Sequence, residues 1–281
     1  IMGKPMVLNL WKSGYNVNFF ARKRRIIEEV KKSGAVFIDS INKIAQNSKI
    51  IFLNLPDSQD VENVICGNKG LWSSLQPNTI IIDMSTISPE MTIKLNNLLR
   101  LKKNSWLLDC PVSGGEAGAI DGSLSIMIGG EKKVYNKVSK YLKVIGNKLT
   151  YIGKSGSGQV AKACNQILVA NTMVAVSEIL LISSKTKTDP KLVQKALLGG
   201  FANSKILEIH GKRMIDNNYK PGFKASLHLK DLKIAMQLMR NLDLDLKSAK
   251  YSKELMQKAI NNNYHNYDSS IVNKIVKSRK K

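Results

Sequence analysis

Apolar positions along this chain follow two different rhythms. Up to about residue 153 they come in short runs: Val17–Ala21, Ile50–Leu55, Thr79–Met84, Trp106–Cys110 and Leu124–Ile128. Runs of this length, bounded by Gly, Pro or Asn, read as buried strands. Between them lie helical segments such as Lys4–Lys12, closed by Gly14, and Arg25–Lys32, closed by Gly34. Strands alternating with helices predict a parallel sheet with helices on both faces. Ligands in such sheets bind at the carboxyl ends of the strands. Three segments are expected there: Leu55-Pro56, Asp83–Thr86 and the glycine-rich loop after Cys110.

Beyond Gly153 the strand signal stops and helical spacing takes over. The pattern predicts helices over 158–184, 190–198, 205–216, 228–241, 247–261 and 269–277. The chain therefore divides into an α/β domain over 1–153 and an all-α domain over 154–281. Val160–Ile182 is apolar enough to raise the question of a membrane span. Lys162, Asn165, Gln166, Asn171 and Glu178 interrupt it, so it reads as a core helix and no membrane partner is expected.

Composition narrows the function classes. The hydrophobic share of 43% supports packed cores rather than disorder. Cys66, Cys110 and Cys164 lie far apart, as do His210, His228 and His265, so neither a metal site nor a disulfide framework is expected. A reduced cytoplasm fits this usage best. The net charge of +23 invites a nucleic-acid reading. However, the lysines are spread along the whole chain beside abundant Asn and Ile, with no recognition-helix or aromatic RNA-binding signature. The terminal Lys277-Ser-Arg-Lys-Lys281 reads as a solvated tail. A non-catalytic basic binding protein is kept only as the contrasting class.

The chemistry concentrates in two segments. Asp109-Cys-Pro-Val-Ser-Gly-Gly-Glu-Ala-Gly-Ala-Ile-Asp-Gly122 carries four glycines directly after a strand. Backbone N–H groups exposed in such a loop can hold an anion such as a carboxylate. Gly156-Ser-Gly158-Gln-Val-Ala-Lys162-Ala-Cys-Asn165 then puts Lys162 and Asn165 on one face near the start of a long helix. An anion cradle with a positioned ammonium suggests proton transfer beside a bound carboxylate. A tight turn and a surface lysine are the bland alternatives.

In order along nearly the whole chain, these segments resemble the β-hydroxyacid dehydrogenase family. Ile1-Met-Gly-Lys-Pro-Met6 resembles the end of that family's glycine-rich opening, Asp109–Gly122 its substrate loop, Gly156–Asn165 its catalytic helix and Lys230-Asp231-Leu232 its late motif. The resemblance implies a Rossmann-type doubly wound domain with its first strand missing, followed by an all-α domain. It implies reduction of a short carboxylate aldehyde, with tartronate semialdehyde going to glycerate. A 3-hydroxyisobutyrate-type substrate or glyoxylate is the alternative. Lys162 becomes the general acid, because a helix N-terminus and a closed cleft both disfavour its ammonium form. Ser113, Gly114, Gly115 and Asn165 become substrate ligands. Met2, Gly3, Arg22, Leu55, Pro56, Thr86 and Lys230 become cofactor ligands, with Lys230 closing the cleft. Asp231 is expected to stabilise the start of its helix, and Cys110 to be a neutral packing replacement for Ala. A homodimer or homotetramer is expected.

Two expectations concern the start of the chain. Ile1-Met2-Gly3 begins where a Gly-x-Gly turn should end, so a preceding strand is expected to be lacking. The sheet should then be interrupted beside Val17–Phe20, and cofactor binding weakened. In addition, Phe19-Phe20-Ala21 ends its strand without an acid, and Arg22-Lys-Arg-Arg25 follows. The cofactor is therefore expected to be NADP, with NADPH preferred over NADH, and NAD remaining possible.

Overall fold

The computed structural model describes residues 2–278, so Ile1 and the expected tail residues Arg279–Lys281 lie outside the described residues. The chain divides into two compact units between Lys162 and Ala163.

The first unit runs α1 (Gly3–Lys12), β1 (Asn18–Phe19), α2 (Arg24–Lys31), β2 (Val36–Phe37), α3 (Ile41–Asn47), β3 (Ile50–Leu53), α4 (Ser58–Cys66) and β4 (Ile80–Asp83). It continues with α5 (Pro89–Lys103), β5 (Trp106–Asp109), β6 (Val112–Ser113), α6 (Gly115–Asp121), β7 (Ser125–Gly129), α7 (Lys132–Ile145) and β8 (Lys148–Gly153). The opening turns of α8 (Ser157–Lys185) complete it.

The apolar runs are continuous because both faces of the sheet are covered. Ile80 and Ile82 point to a core shared with Met6 and Leu10 of α1 and with Val138 and Leu142 of α7. Ile81 and Leu107 point the other way, onto Val61 and Ile65 of α4 and Leu95 and Leu99 of α5. Helices on both faces make this the doubly wound architecture expected.

Strands β3, β4 and β5 are parallel and in register, with Leu53 opposite Asp83 and Asp83 opposite Asp109. Their carboxyl ends thus share one edge. The expectation of an all-parallel sheet fails at β7, which is antiparallel to both β5 and β6. The cause is the short return from Ser113 to Ser125, which holds only α6 and its turns. A parallel crossover needs a dozen residues or more. Strand β8, paired parallel to β7 through α7, was not anticipated from the sequence.

Strands β1 and β2 form a parallel sheet of their own, Asn18 opposite Val36 and Phe19 opposite Phe37. Among the described residues neither pairs with the six-stranded sheet, which leaves the interruption expected beside Val17–Phe20.

The second unit is helical: the rest of α8, α9 (Pro190–Leu198), a π-helical segment (Ile206–Gly211), α10 (Lys212–Ile215), α11 (Ala225–Asn241), α12 (Lys247–Asn261) and α13 (Val272–Lys277). The helix expected over 205–216 is thus a π-turn followed by a single α-turn. Met173, Val174, Val176 and Leu180 of α8 pack with Leu229 and Leu232 of α11 and with Leu255 and Met256 of α12. Helix α8 is long and apolar enough to cross a membrane, but these residues place one of its faces in a protein core. Leu168 and Ile182, on α8, are exposed.

Candidate active site

The first unit assembles its candidate residues along the shared strand edge. Asp109 closes β5, and its side chain is fully buried. Its Oδ1 accepts from Gly156 N at 3.0 Å and its Oδ2 from Gln159 N at 3.0 Å. These are donors of the first turn of α8, which have no partner inside the helix. The carboxylate therefore caps the helix and opposes its positive end. Burial pushes the Asp109 pKa up, and the N–H groups of Gly156, Gln159 and Gly158 pull against that rise. A Cβ on Gly129 would lie 2.5 Å from the Asp109 carboxylate, and one on Gly158 2.5 Å from Met127 O. The helix start can approach the strand ends this closely only because both positions are glycine.

Lys162 lies one turn after Gln159 and is buried. Its Nζ donates to Val112 O at 2.9 Å. Val112 belongs to β6, directly before Ser113, Gly114 and Gly115. The expected proton donor is therefore tied to the strand that feeds the expected substrate loop. Gly114 and Gly115 are exposed and hold φ of 134° and 64°. These angles favour glycine, and a Cβ on Gly115 would meet nothing within 4 Å. The backbone at Gly115 is open to a ligand, whereas a Cβ on Gly114 would lie 3.0 Å from the Leu124 side chain. Cys110 is buried among Leu108, Ile126 and Ile128, so it packs as the small apolar residue expected. Burial, with Asp109 and Asp83 nearby, pushes its thiol well above the usual range.

The loops after β3 and β4 join the same edge. Ser85 Oγ accepts from Leu55 N at 2.9 Å. Gln159 is buried and brackets Thr86: its Nε2 donates to Ser85 O at 2.9 Å, and its Oε1 accepts from Ile87 N at 3.2 Å. Leu55 and Thr86 are half-buried and Pro56 is exposed. Gly3 opens α1, and a Cβ there would meet only Cβ of Asn54, at 4.0 Å. The backbone beside Met2 and Gly3 is thus open near the loop after β3. Arg22 is exposed between β1 and α2, and α2 has no acid in its first turn. Open backbone at a helix start and an exposed basic turn fit an anionic dinucleotide.

The second unit holds Asn165 and Lys230. Asn165 Oδ1 is buried without a hydrogen-bond partner. Lys230 Nζ pairs with Asp231 at 2.8 Å. The expectation that Asp231 stabilises its helix start is corrected. Helix α11 begins at Ala225, so Asp231 lies beyond the reach of the exposed N–H groups. Its buried carboxylate accepts instead from Gln166 Nε2 at 2.7 Å. His228 Nε2 meets Gln166 O at 3.2 Å, so the motif around Lys230 also builds a polar contact with α8.

Asp109, Ser85 and Gln159 carry the framework; each lies in a segment expected at the site, but none was expected to do this by its own side chain. The available signals were an acid closing an apolar strand and a glutamine inside the Gly-x-Gly-Gln opening of the helix. Among the described residues no cluster of His, Cys, Asp or Glu could hold a metal.

Comparison with known proteins agrees with this geometry. Residues 1–153 match the NAD binding domain of 6-phosphogluconate dehydrogenase. Residues 156–276 match the family described as the NAD-binding of NADP-dependent 3-hydroxyisobutyrate dehydrogenase. The 2-hydroxy-3-oxopropionate reductase of Escherichia coli is 40% identical over 96% of this chain and 92% of its own length. The fold is shared with 3-hydroxyisobutyrate dehydrogenase of Mycobacterium tuberculosis, with a TM-score of 0.89 at 24% identity over 99% of this chain and 96% of that one. A solved complex with NADP+ superimposes with a TM-score of 0.90 at 20% identity over 98% of this chain and 96% of that one. The chain belongs to the β-hydroxyacid dehydrogenase family of NAD(P)-dependent oxidoreductases acting on CH–OH groups.

Proposed function

We propose that this enzyme reduces tartronate semialdehyde to glycerate, prefers NADPH, and uses Lys162 as the proton donor. The observation that carries the reading is the buried Lys162 ammonium bonded to Val112 O, beside Ser113-Gly114-Gly115. The name and 40% identity of the Escherichia coli relative support the substrate.

When bound, a reduced nicotinamide supplies the hydride. Backbone N–H groups of Gly114 and Gly115, with the Ser113 hydroxyl, hold the substrate carboxylate. The aldehyde carbon gains a C–H bond, and the C=O π pair moves onto oxygen. Lys162 Nζ gives that oxygen its proton and is then reprotonated from solvent. Val112 O aims the ammonium until the substrate oxygen replaces it as acceptor. Asn165 is kept as a substrate ligand. Met2, Gly3, Leu55, Pro56 and Thr86 are assigned to the dinucleotide. Arg22 is assigned to its 2′-phosphate, and Lys230 is kept as a cofactor ligand. We assign self-association to the exposed Leu168 and Ile182 side of α8, and a cytoplasmic location remains part of the reading.

The test is kcat/KM for tartronate semialdehyde against methylmalonate semialdehyde, succinate semialdehyde and glyoxylate. Tartronate semialdehyde should lead, and a clear preference for any of the others overturns the substrate assignment.

A further inference from the structure

Gln159 is itself assigned to no ligand, yet its hydrogen bonds run to the end of β5 and to the loop after β4. Its backbone N–H goes to Asp109 Oδ2, the cap that fixes the start of α8. Its side-chain amide uses one donor on Ser85 O and its acceptor on Ile87 N, the peptide groups on either side of Thr86. Ser85 in turn receives Leu55 N on its hydroxyl and gives its own N–H to Asp83 Oδ1 at 2.9 Å. Gln159 and Ser85 are both buried, as are Asp83 and Asp109. A continuous path therefore leads from Leu55 through Ser85 and Gln159 to the turn of α8 that carries Lys162. A buried network of this kind favours one arrangement, because each broken link strands a polar group out of water.

We infer that Gln159 is a positioning residue, which sets the cofactor loops after β3 and β4 in register with the proton donor Lys162. It acts through Ser85 and the Thr86 loop and makes no contact of its own with substrate. The inference rests on the assignment of Thr86 and Leu55 to the cofactor and of Lys162 to proton transfer. It adds that the two are mechanically one element. Hydride and proton must reach adjacent atoms of the same carbonyl. A small displacement between their carriers therefore lowers turnover steeply, by as much as about 10²-fold for 1 Å.

The test uses the full chain and compares Gln159→Leu with wild type. Leucine keeps a side chain of similar volume, branched one carbon earlier, while removing both side-chain hydrogen bonds. NADPH affinity is read by fluorescence titration without substrate, kcat and KM by steady state, and amide exchange at Leu55 and Ile87 in the cofactor-free protein. We expect NADPH affinity to fall about tenfold and kcat about tenfold, because a buried loop loses two bonds at once. Both amides should exchange faster, and KM for the aldehyde should stay near wild type. Ser85→Ala provides a second, milder variant. It frees Leu55 N alone and should weaken NADPH binding with a smaller effect on kcat.

If Gln159→Leu lowers the melting temperature while leaving NADPH affinity and kcat unchanged per folded molecule, Gln159 only supports the fold and the inference fails. Lys162→Ala separates this from failure of the parent reading. If that variant turns over normally, the proton-donor assignment falls. If it is inactive while Gln159→Leu is unaffected, only the coupling falls.

Discussion

Asp109 in the first unit and Asp268 in the second are both fully buried aspartates that collect backbone N–H groups, yet their surroundings drive them in opposite directions. Asp109 receives only neutral donors, from Gly156, Gln159 and Gly158, and burial leaves its pKa above the usual range. Asp268 accepts from Gly222 N, Phe223 N, Ser270 N and the Ser270 hydroxyl. It also faces His210 Nδ1 and Arg213 Nη1, each at 3.3 Å. Burial pushes its pKa up here as well, but His210, Ser270 and the remaining donors outweigh that and hold it well below the usual range. Ion pairing around Asp268 ties the π-helical segment and α10 to the loop before α13. Backbone N–H donors around Asp109 hold the start of α8, the helix that carries Lys162. The first arrangement adds an ion pair with Arg213, and the second fixes a helix start through backbone N–H groups.

The comparison breaks most clearly at the chemistry. Lys162→Ala should lower kcat by about 10²–10⁴-fold, the usual worth of general-acid catalysis, while NADPH still binds. Asp268→Asn should leave kcat per folded molecule close to wild type. Near-normal turnover in Lys162→Ala would remove that residue from the mechanism. A large loss in Asp268→Asn would tie the ion-paired region to catalysis.

Stability should rank the two aspartates the other way. Asp268→Asn removes the anion facing a partly buried Arg213 and His210, and should cost about 2–3 kcal/mol in denaturant unfolding. Asp109→Asn keeps one acceptor and sheds a charge that burial disfavours, so about 1 kcal/mol is expected. A larger loss in Asp109→Asn than in Asp268→Asn would reverse the assignment of roles.

Acid unfolding sharpens this further. A carboxyl with a depressed folded pKa contributes stability above its unfolded value, near 3.8 for Asp268, and loses it as pH falls through the folded value. A carboxyl with a raised folded pKa contributes stability at low pH and loses it as pH rises through the folded value. Between pH 5 and pH 2, stability of the wild type should therefore fall more steeply than that of Asp268→Asn. Asp109→Asn should fall at least as steeply as wild type. Equal slopes in wild type and Asp268→Asn would show that the Asp268 pKa is not depressed in the folded protein.

The same two aspartates mark what the sequence could reveal. The strands β3, β4, β5 and β7 were legible because two covered faces require unbroken apolar runs, such as Ile80–Ile82. The positive-φ turn at Gly114-Gly115 and the place of Lys162 near the start of α8 were legible as geometry because each depends on local spacing. Neither two-residue strand β2 nor β6 has a run long enough to register, and the antiparallel turn of β7 follows from loop length rather than from its own residues. Asp109 looked like the first residue of a loop. Its role depends on Gly129 and Gly158, which leave room for its carboxylate only once β7 and α8 have come together. Asp231 was misread for a related reason. An acid near a helix start suggested a favourable interaction with the helix dipole, whereas the buried carboxylate accepts from Gln166.

The smallest expected effect lies at the exposed edge, where nothing resembles either buried aspartate. Arg25 is held by Glu29 at 2.8 Å, and Lys4 pairs with the same carboxylate, whose pKa these contacts lower to about 2. Arg22 is exposed just past β1, and α2 places no acid in its first turn to compete for it. On the proposed assignment, a 2′-phosphate on the adenosine ribose would pair with this guanidinium, whereas the bare hydroxyl of NADH would gain little from it. Because the contact is exposed, salt should screen it. Arg22→Ala should lower kcat/KM for NADPH by about fivefold, within the usual worth of a charge-assisted hydrogen bond, and leave NADH nearly unchanged. The NADPH advantage of the wild type should also shrink as ionic strength rises from 0.05 to 0.5 M, and that dependence should be weaker in Arg22→Ala. A wild type that uses NADH equally well would defeat the phosphate assignment outright. An unchanged cofactor ratio in the variant would move it from Arg22 to another cation of the same turn.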